Sequence, residues 1–192
     1  MVVPPTSPPA SISAKAALRR TLRAARSAYV AGLATGERAR LEAALGAVLD
    51  SHLGPGLIAG YSACGDEIGL AGFPRALLYP RVTRDAPLTF HDCATASLVP
   101  GALGIPEPAA ESPSAIPGII LVPLIAVDAR GNRLGQGGGF YDRTLALLRA
   151  TQAVVAVGVA WDMQRVEALL ADAWDAPLDA LATPSGWHSF AR

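Results

Sequence analysis

Ile119-Ile-Leu-Val-Pro-Leu-Ile-Ala-Val127, followed by Arg133-Leu-Gly-Gln-Gly-Gly-Gly-Phe-Tyr-Asp-Arg143, reads as an apolar run, a glycine-rich turn and the start of a helical pattern. An apolar run with no polar alternation is what a strand buried on both faces requires. From Phe140 to Ala150 the apolar positions recur at helical spacing. Between them Gly135, Gly137, Gly138 and Gly139 leave backbone N–H groups unobstructed by Cβ atoms, at the point where a helix N-terminus contributes partial positive charge. A strand, a glycine turn and a helix in that order make an anion cradle. The spacing matches neither G-x-G-x-x-G nor G-x-x-x-x-G-K-[ST], so neither a Rossmann nor a Walker site is indicated.

Working outward, Ala153 to Trp161 reads as a strand, Met163 to Leu170 as a helix and Leu178 to Ala182 as a short final strand. Upstream, Gly56 to Tyr61, Ala76 to Val82 and Pro87 to His91 are strand candidates, and Val99 to Pro108 reads as a loop. Helical patterns begin at Lys15, with Ser13 as N-cap, and run again from Thr35 to His52. Apolar strands alternating with amphipathic helices predict an α/β fold with a mainly parallel sheet covered on both faces. No internal repeat or linker divides the chain. Residues 1–13, rich in Pro and Ser, are expected to be a mobile tail, and residues 14–192 a single domain.

Composition narrows the function classes. Sixteen basic and sixteen acidic side chains give zero net charge, against a dedicated nucleic-acid partner. The longest apolar run, Ile116 to Val127, carries Pro117 and Pro123 and falls short of the roughly 20 residues a membrane span needs. No secretory h-region is visible, and Cys64 and Cys93 read as reduced thiols, so a cytoplasmic protein is expected. Lys15 is the only lysine among these cations. A compact ammonium retained on an arginine background is a candidate phosphate ligand, or a chance survivor. Lys15, Arg19, Arg23 and Arg26 share one helical side, which is either a ligand-binding or a solvated face.

Asp142 and the loop around Asp175 and Asp179 offer hard oxygens for Mg²⁺, which commonly takes one or two carboxylates plus substrate phosphates. Each has a structural alternative, Asp142 as a helix-end carboxylate and Asp175 as a turn cap. Asp66 and Glu67, just past a strand end, are either ligand contacts or helix-capping carboxylates. His52, His91 and His188 lack metal spacing and no G-x-S-x-G elbow is present, which leaves phosphoryl chemistry by positioning and electrostatics.

The run from Pro123 to Arg143 resembles the signature of the 5-formyltetrahydrofolate cyclo-ligases, or methenyltetrahydrofolate synthetases. Weaker matches flank it in order: Lys15-Ala-Ala-Leu-Arg19, Asp66-Glu67-Ile68, Pro80-Arg81-Val82, Gly104 to Pro108, and Asp175-Ala-Pro-Leu-Asp179. The resemblance implies a three-layer α/β/α sandwich of the NagB/RpiA/CoA-transferase kind. It also implies ATP-dependent closure of 5-formyltetrahydrofolate to 5,10-methenyltetrahydrofolate, with Mg²⁺ as cofactor, by a monomer whose partners are its small-molecule substrates. Carried over, Lys15, Arg19, Arg133, Leu134, Gly135, Gln136, Gly137, Gly138, Gly139, Phe140 and Tyr141 would hold ATP. Glu67 and Gln136 to Phe140 would line the folate pocket, and Asp142 and Asp175 would hold Mg²⁺. A non-catalytic folate- or nucleotide-binding protein on the same fold is the alternative. Three departures stand out: Gln136 where an aromatic or basic residue is frequent, Trp174 where a histidine is common, and only twelve residues between Glu67 and Pro80. The crossover there is expected to be short or irregular.

Overall fold

The computed structural model describes residues 10–94 and 97–191. In chain order these form α1 (Ala10–Ala31), α2 (Glu37–His52), β1 (Ile58–Ala59), β2 (Leu78–Arg81), β3 (Thr89–Asp92), β4 (Val99–Pro100), β5 (Pro106–Glu107) and β6 (Ile119–Pro123). Then come β7 (Ala126–Val127), β8 (Arg133–Leu134), α3 (Phe140–Thr151), β9 (Val155–Val159), β10 (Ala180–Thr183) and β11 (Gly186–Ser189). Seven strands make the main sheet in the order β11-β10-β9-β6-β1-β2-β3. The five central strands are parallel; β3 and β11 close the edges antiparallel.

The apolar run anticipated at the centre of the sheet is there, and its side chains divide between two cores. Ile120 and Val122 pack with Leu145 and Leu148 of α3, whereas Ile119 and Leu121 pack with Leu45 and Leu49 of α2. The same alternation continues in β10, where Leu181 faces α3 and Ala180 and Ala182 face α2. Two helical layers with a sheet between them give the three-layer sandwich. The period-two reversal of Cβ direction is why one strand can serve both cores.

Some expectations need correction. Residues 1–9 of the expected tail lie outside the described residues, but α1 already begins at Ala10, so Ser13 lies inside the helix and is not its N-cap. The helix expected over Met163 to Leu170 is a single 3₁₀ turn, Asp162–Gln164, followed by irregular chain. Backbone donors that would have closed that helix go elsewhere, Val166 N–H to Val127 O at 2.9 Å and Leu169 N–H to the Asp128 carboxylate at 3.1 Å. The loop expected over Val99 to Pro108 carries the small β4–β5 ribbon. Ile119 to Val127 breaks after Pro123, and Ala126–Val127 pairs with Arg133–Leu134 instead of the main sheet.

The short crossover between β1 and β2 contains no helix. It lies directly on α2, backbone against backbone. A Cβ on Gly46 would fall 1.9 Å from the Gly72 carbonyl oxygen, and one on Gly72 would fall 2.5 Å from the Glu42 carbonyl oxygen. Ile68 and Phe73 from this crossover fill the α2-side core. Two facing glycines thus let an 18-residue segment do what a packed helix does in a longer crossover.

Candidate active site

The chain runs outward in one direction from β1 to β2 and in the other from β6 to β9 and β10. The carboxyl ends of β1 and β6 therefore flank a topological switch point, where open α/β sheets place their ligands. A cleft of about 870 Å³ opens there, with Tyr61 just past β1 and Pro123 at the end of β6 in its wall. That volume is near the upper end for small-molecule sites.

The residues that the resemblance assigns to ligands line this one cleft: Lys15, Arg19, Glu67, the run from Arg133 to Tyr141, Asp142 and Asp175. The glycine turn forms its floor and ends on α3, whose N-terminus no side chain caps. Gly137 and Gly139 take φ values of 106° and 65°, in the left-handed region that glycine alone enters without strain. These two positions bend the turn so that it faces the cleft rather than continuing β8.

The basic side of α1 is the second wall. Arg19 Nε donates to Gly135 O at 2.9 Å, and Arg23 Nη2 donates to Gln136 O at 3.2 Å. Arg26 is buried, with Nη1 directed to Leu124 O at 3.4 Å and lying 4.0 Å from Glu67 Oε1. One turn before Arg19, Lys15 Nζ lies 2.6 Å from Asp172 Oδ2 and 2.7 Å from Asp175 Oδ2. Partial burial pulls the Lys15 pKa down, but the hydrogen bonds to Asp172 and Asp175 outweigh it and leave it raised. Of the row of cations that could have been a solvated face, Lys15 and Arg19 line the cleft and Arg26 is buried, while Arg23 stays exposed against Gln136.

The acidic residues sort differently. Asp142 Oδ1 accepts from Arg133 Nη2 at 2.6 Å and from Ala176 N at 3.2 Å. Arg133 also donates to Ala176 O, and only 4% of its side chain is exposed. Burial lowers the Arg133 pKa while Asp142 and Asp175 pull it back up. Asp179, by contrast, is not brought to the cleft; it pairs with Arg149 at 2.9 Å and caps Ala156 N. Asp66 also stays outside the cleft, and its carbonyl accepts from Trp161 Nε1 at 2.9 Å. Glu67 caps no helix; its Oε2 accepts from Cys64 N at 3.0 Å in the turn after β1. Burial raises the Tyr141 phenol far above the ordinary tyrosine range.

Among the described residues no group of three or more His, Cys, Asp or Glu side chains is arranged to hold a metal by itself. Asp142 and Asp175 nevertheless suit Mg²⁺. The oxygens they use internally are Asp142 Oδ1 and Asp175 Oδ2, and the partner oxygen of each accepts no hydrogen bond among the described residues. Two hard carboxylates beside the glycine turn are the kind of donor set that Mg²⁺ takes together with water and phosphate oxygens.

Several wall residues were not anticipated as site residues. Asp172 shares Lys15 with Asp175, and Leu88, Leu103, Ile105 and Trp174 supply apolar surface. Trp174 is 73% exposed, so its indole is available to a planar ligand. Tyr61 sits at the end of an expected strand and was findable by position, but Leu88 and Leu103 carry no local signal of a pocket.

A glycine-floored, cation-walled cleft at the switch point of a mainly parallel sheet is the kind of site that suits an anionic small molecule in an α/β protein. The family model described as the 5-formyltetrahydrofolate cyclo-ligase family matches residues 74–184, and the chain belongs to that family. The 5-formyltetrahydrofolate cyclo-ligase of Escherichia coli K12 is 43% identical over 102 residues, 51% of this chain and 54% of that protein. That of Haemophilus influenzae is 50% identical over 60 residues, 31% of this chain and 32% of that protein. The matched stretch thus spans about half the length, or less, of these relatives. Among solved structures, the 5,10-methenyltetrahydrofolate synthetase of Aquifex aeolicus superposes with a TM-score of 0.73 at 31% identity, covering 91% of this chain and 94% of that one. The Mycoplasma pneumoniae 5,10-methenyltetrahydrofolate synthetase gives 0.68 at 25% identity, covering 88% and 98%.

Proposed function

We propose that this chain closes 5-formyltetrahydrofolate to 5,10-methenyltetrahydrofolate at the expense of ATP. The observation that carries this reading is the convergence of Lys15, Arg19, Glu67, the glycine turn, Asp142 and Asp175 on one cleft. In the reaction the formyl oxygen attacks the γ-phosphorus and ADP leaves. N10 then attacks the activated formyl carbon and gives up its proton, and the C–O bond breaks to release phosphate. Both nucleophiles belong to the substrate, which suits a site whose lining serine among the described residues, Ser62, donates its hydroxyl to Pro106 O at 2.8 Å. The protein's part is positioning and charge stabilisation.

Lys15, Arg19 and the N–H groups from Gly135 to Tyr141 would hold the triphosphate, with the α3 N-terminus adding to the field. Asp142 and Asp175 would hold Mg²⁺, which when bound neutralises charge on the phosphates. For that, Lys15 would leave the two aspartates for a phosphate oxygen and the metal would take its place between them. Glu67 would anchor the folate, with Tyr141 as a protonated donor beside it. Apolar wall from Leu88, Leu103, Ile105 and Phe140 would cover the ring systems and exclude water from the phosphorylated intermediate.

Purified protein with ATP, Mg²⁺ and 5-formyltetrahydrofolate is expected to develop methenyltetrahydrofolate absorbance. A folded protein that yields none overturns the catalytic reading; ligand-dependent thermal stabilisation without turnover would then favour a binding protein. No described helix is long and apolar enough to cross a bilayer.

A further inference from the structure

Gln136 is the residue of the glycine turn whose side chain is engaged at both ends of its amide. Its Oε1 accepts from Arg23 Nε at 3.0 Å and from Arg23 Nη2 at 2.6 Å, while its Nε2 donates to Glu67 Oε1 at 2.9 Å. A primary amide has one accepting and one donating end. Set between a guanidinium and a carboxylate it has only one workable orientation, because the flipped amide would face donor to donor and acceptor to acceptor. Gln136 is therefore an adaptor between a cation on α1 and an anion on the turn after β1.

The carboxylate it reaches is otherwise held from beneath. Glu67 Oε2 takes the Cys64 N–H at 3.0 Å, and the Arg26 guanidinium stands 4.0 Å from Oε1. Arg26 is buried and its Nε has no hydrogen-bond partner, so Glu67 is the charge that compensates it. The two supports from below set the depth of Glu67; the amide from Gln136, at the exposed rim, sets which way Oε1 points into the cleft. A lysine or arginine at 136 would confront Arg23. An aromatic ring there would remove the hydrogen bond that Oε1 accepts.

We propose that Gln136 is a positioning residue for the folate subsite: its side chain acts through Glu67, linking it to Arg23, and contacts neither phosphate nor metal. This rests on the cyclo-ligase reading above. The backbone of residue 136 remains part of the phosphate cradle, which is why a side-chain replacement separates the two roles.

The test is steady-state kinetics of the full chain carrying Gln136→Leu, Gln136→Glu and Arg23→Gln, with Glu67→Gln alone and combined with Gln136→Leu. Gln136→Leu is expected to raise KM for 5-formyltetrahydrofolate roughly tenfold, the effect of losing a hydrogen bond to a charged group, with KM for ATP little changed. Gln136→Glu, which sets a carboxylate against Glu67, should raise it further, and Arg23→Gln should give the same folate-only pattern more weakly. The double variant should be little worse than Glu67→Gln alone, since both remove one interaction. Equal rises in both KM values, or full additivity with Glu67→Gln, overturn the proposal, as does a normal KM for folate in Gln136→Leu. In those outcomes wild-type turnover leaves the cyclo-ligase reading standing. If the wild-type protein neither turns over nor binds 5-formyltetrahydrofolate in calorimetry, both fall together.

Discussion

Lys15 Nζ and Asp175 Oδ2 lie 2.7 Å apart although 160 positions separate them in the chain. The pair closes the cleft's far end, and Asp172 shares the same ammonium at 2.6 Å. An ammonium held by two carboxylates here, and proposed to serve phosphate later, makes the substitution of Lys15 informative.

Lys15→Ala is expected to raise KM for ATP roughly 10- to 100-fold, as loss of charge-assisted contacts to phosphate should, and KM for folate much less. Initial rates over a matrix of both substrates distinguish this from a general loss. Equal rises would return Lys15 to a purely structural partner of Asp172 and Asp175.

Asp142 carries two duties that two substitutions separate. Asp142→Asn keeps an oxygen for Arg133 and Ala176 but loses the charge, so Mg²⁺ activation should shift to higher concentration while the urea midpoint barely moves. Asp142→Ala also strands Arg133, whose side chain is 4% exposed. The cost should be roughly 2–3 kcal/mol, below the figure for a fully buried pair because the aspartate side is partly open to water. An unchanged Mg²⁺ requirement in Asp142→Asn would leave only the structural duty.

Gly46→Ala is expected to destabilise the fold by about 3 kcal/mol, because its Cβ would sit 1.9 Å from the Gly72 carbonyl oxygen and α2 must move off the crossover. Chemical denaturation reads this directly. A variant as stable as wild type would mean the two backbones are not in contact.

Asp128 gives an acid-sensitive component of stability. Its burial favours the neutral form, but hydrogen bonds from the Asn132 side chain and from the N–H groups of Arg130, Leu169 and Asn132 prevail, lowering its pKa below the ordinary 3.8. A carboxylate with a depressed folded pKa stabilises fully above its unfolded value, and that contribution is lost as pH falls through the folded one. Stability should therefore decline below about pH 3.8, and the decline should be shallower in Asp128→Asn. Identical pH profiles for the two proteins would exclude this.

The parts of the fold legible in the sequence were those whose signal is local. Ile119 to Pro123 announces a two-faced strand by unbroken apolarity, and Phe140 to Thr151 announces α3 by period and by the glycines before it. The segment after Trp161 misled because its apolar spacing suits a helix, while the acceptors that defeat the helix, Val127 O and the Asp128 carboxylate, lie some 40 positions upstream. The antiparallel partner of β10 went unread because Trp187 and His188 lack alternation, and only the Pro184–Ser185 turn hints at a hairpin. In the site, residue identities were readable but pairings were not. Nothing in the local sequence around Arg23 shows that it reaches Gln136, or that Asp172 shares Lys15, because each contact spans more than a hundred positions.

That separation also has a consequence for synthesis. At about 5–20 residues per second, the ribosome takes roughly 10–30 s to extend the chain from Lys15 to Asp175. For most of that interval α1 carries cations whose eventual partners, first Gly135 and Gln136 and at the end Asp175, do not yet exist. The cleft wall that α1 forms through Lys15 is therefore completed only once Asp175 is in place.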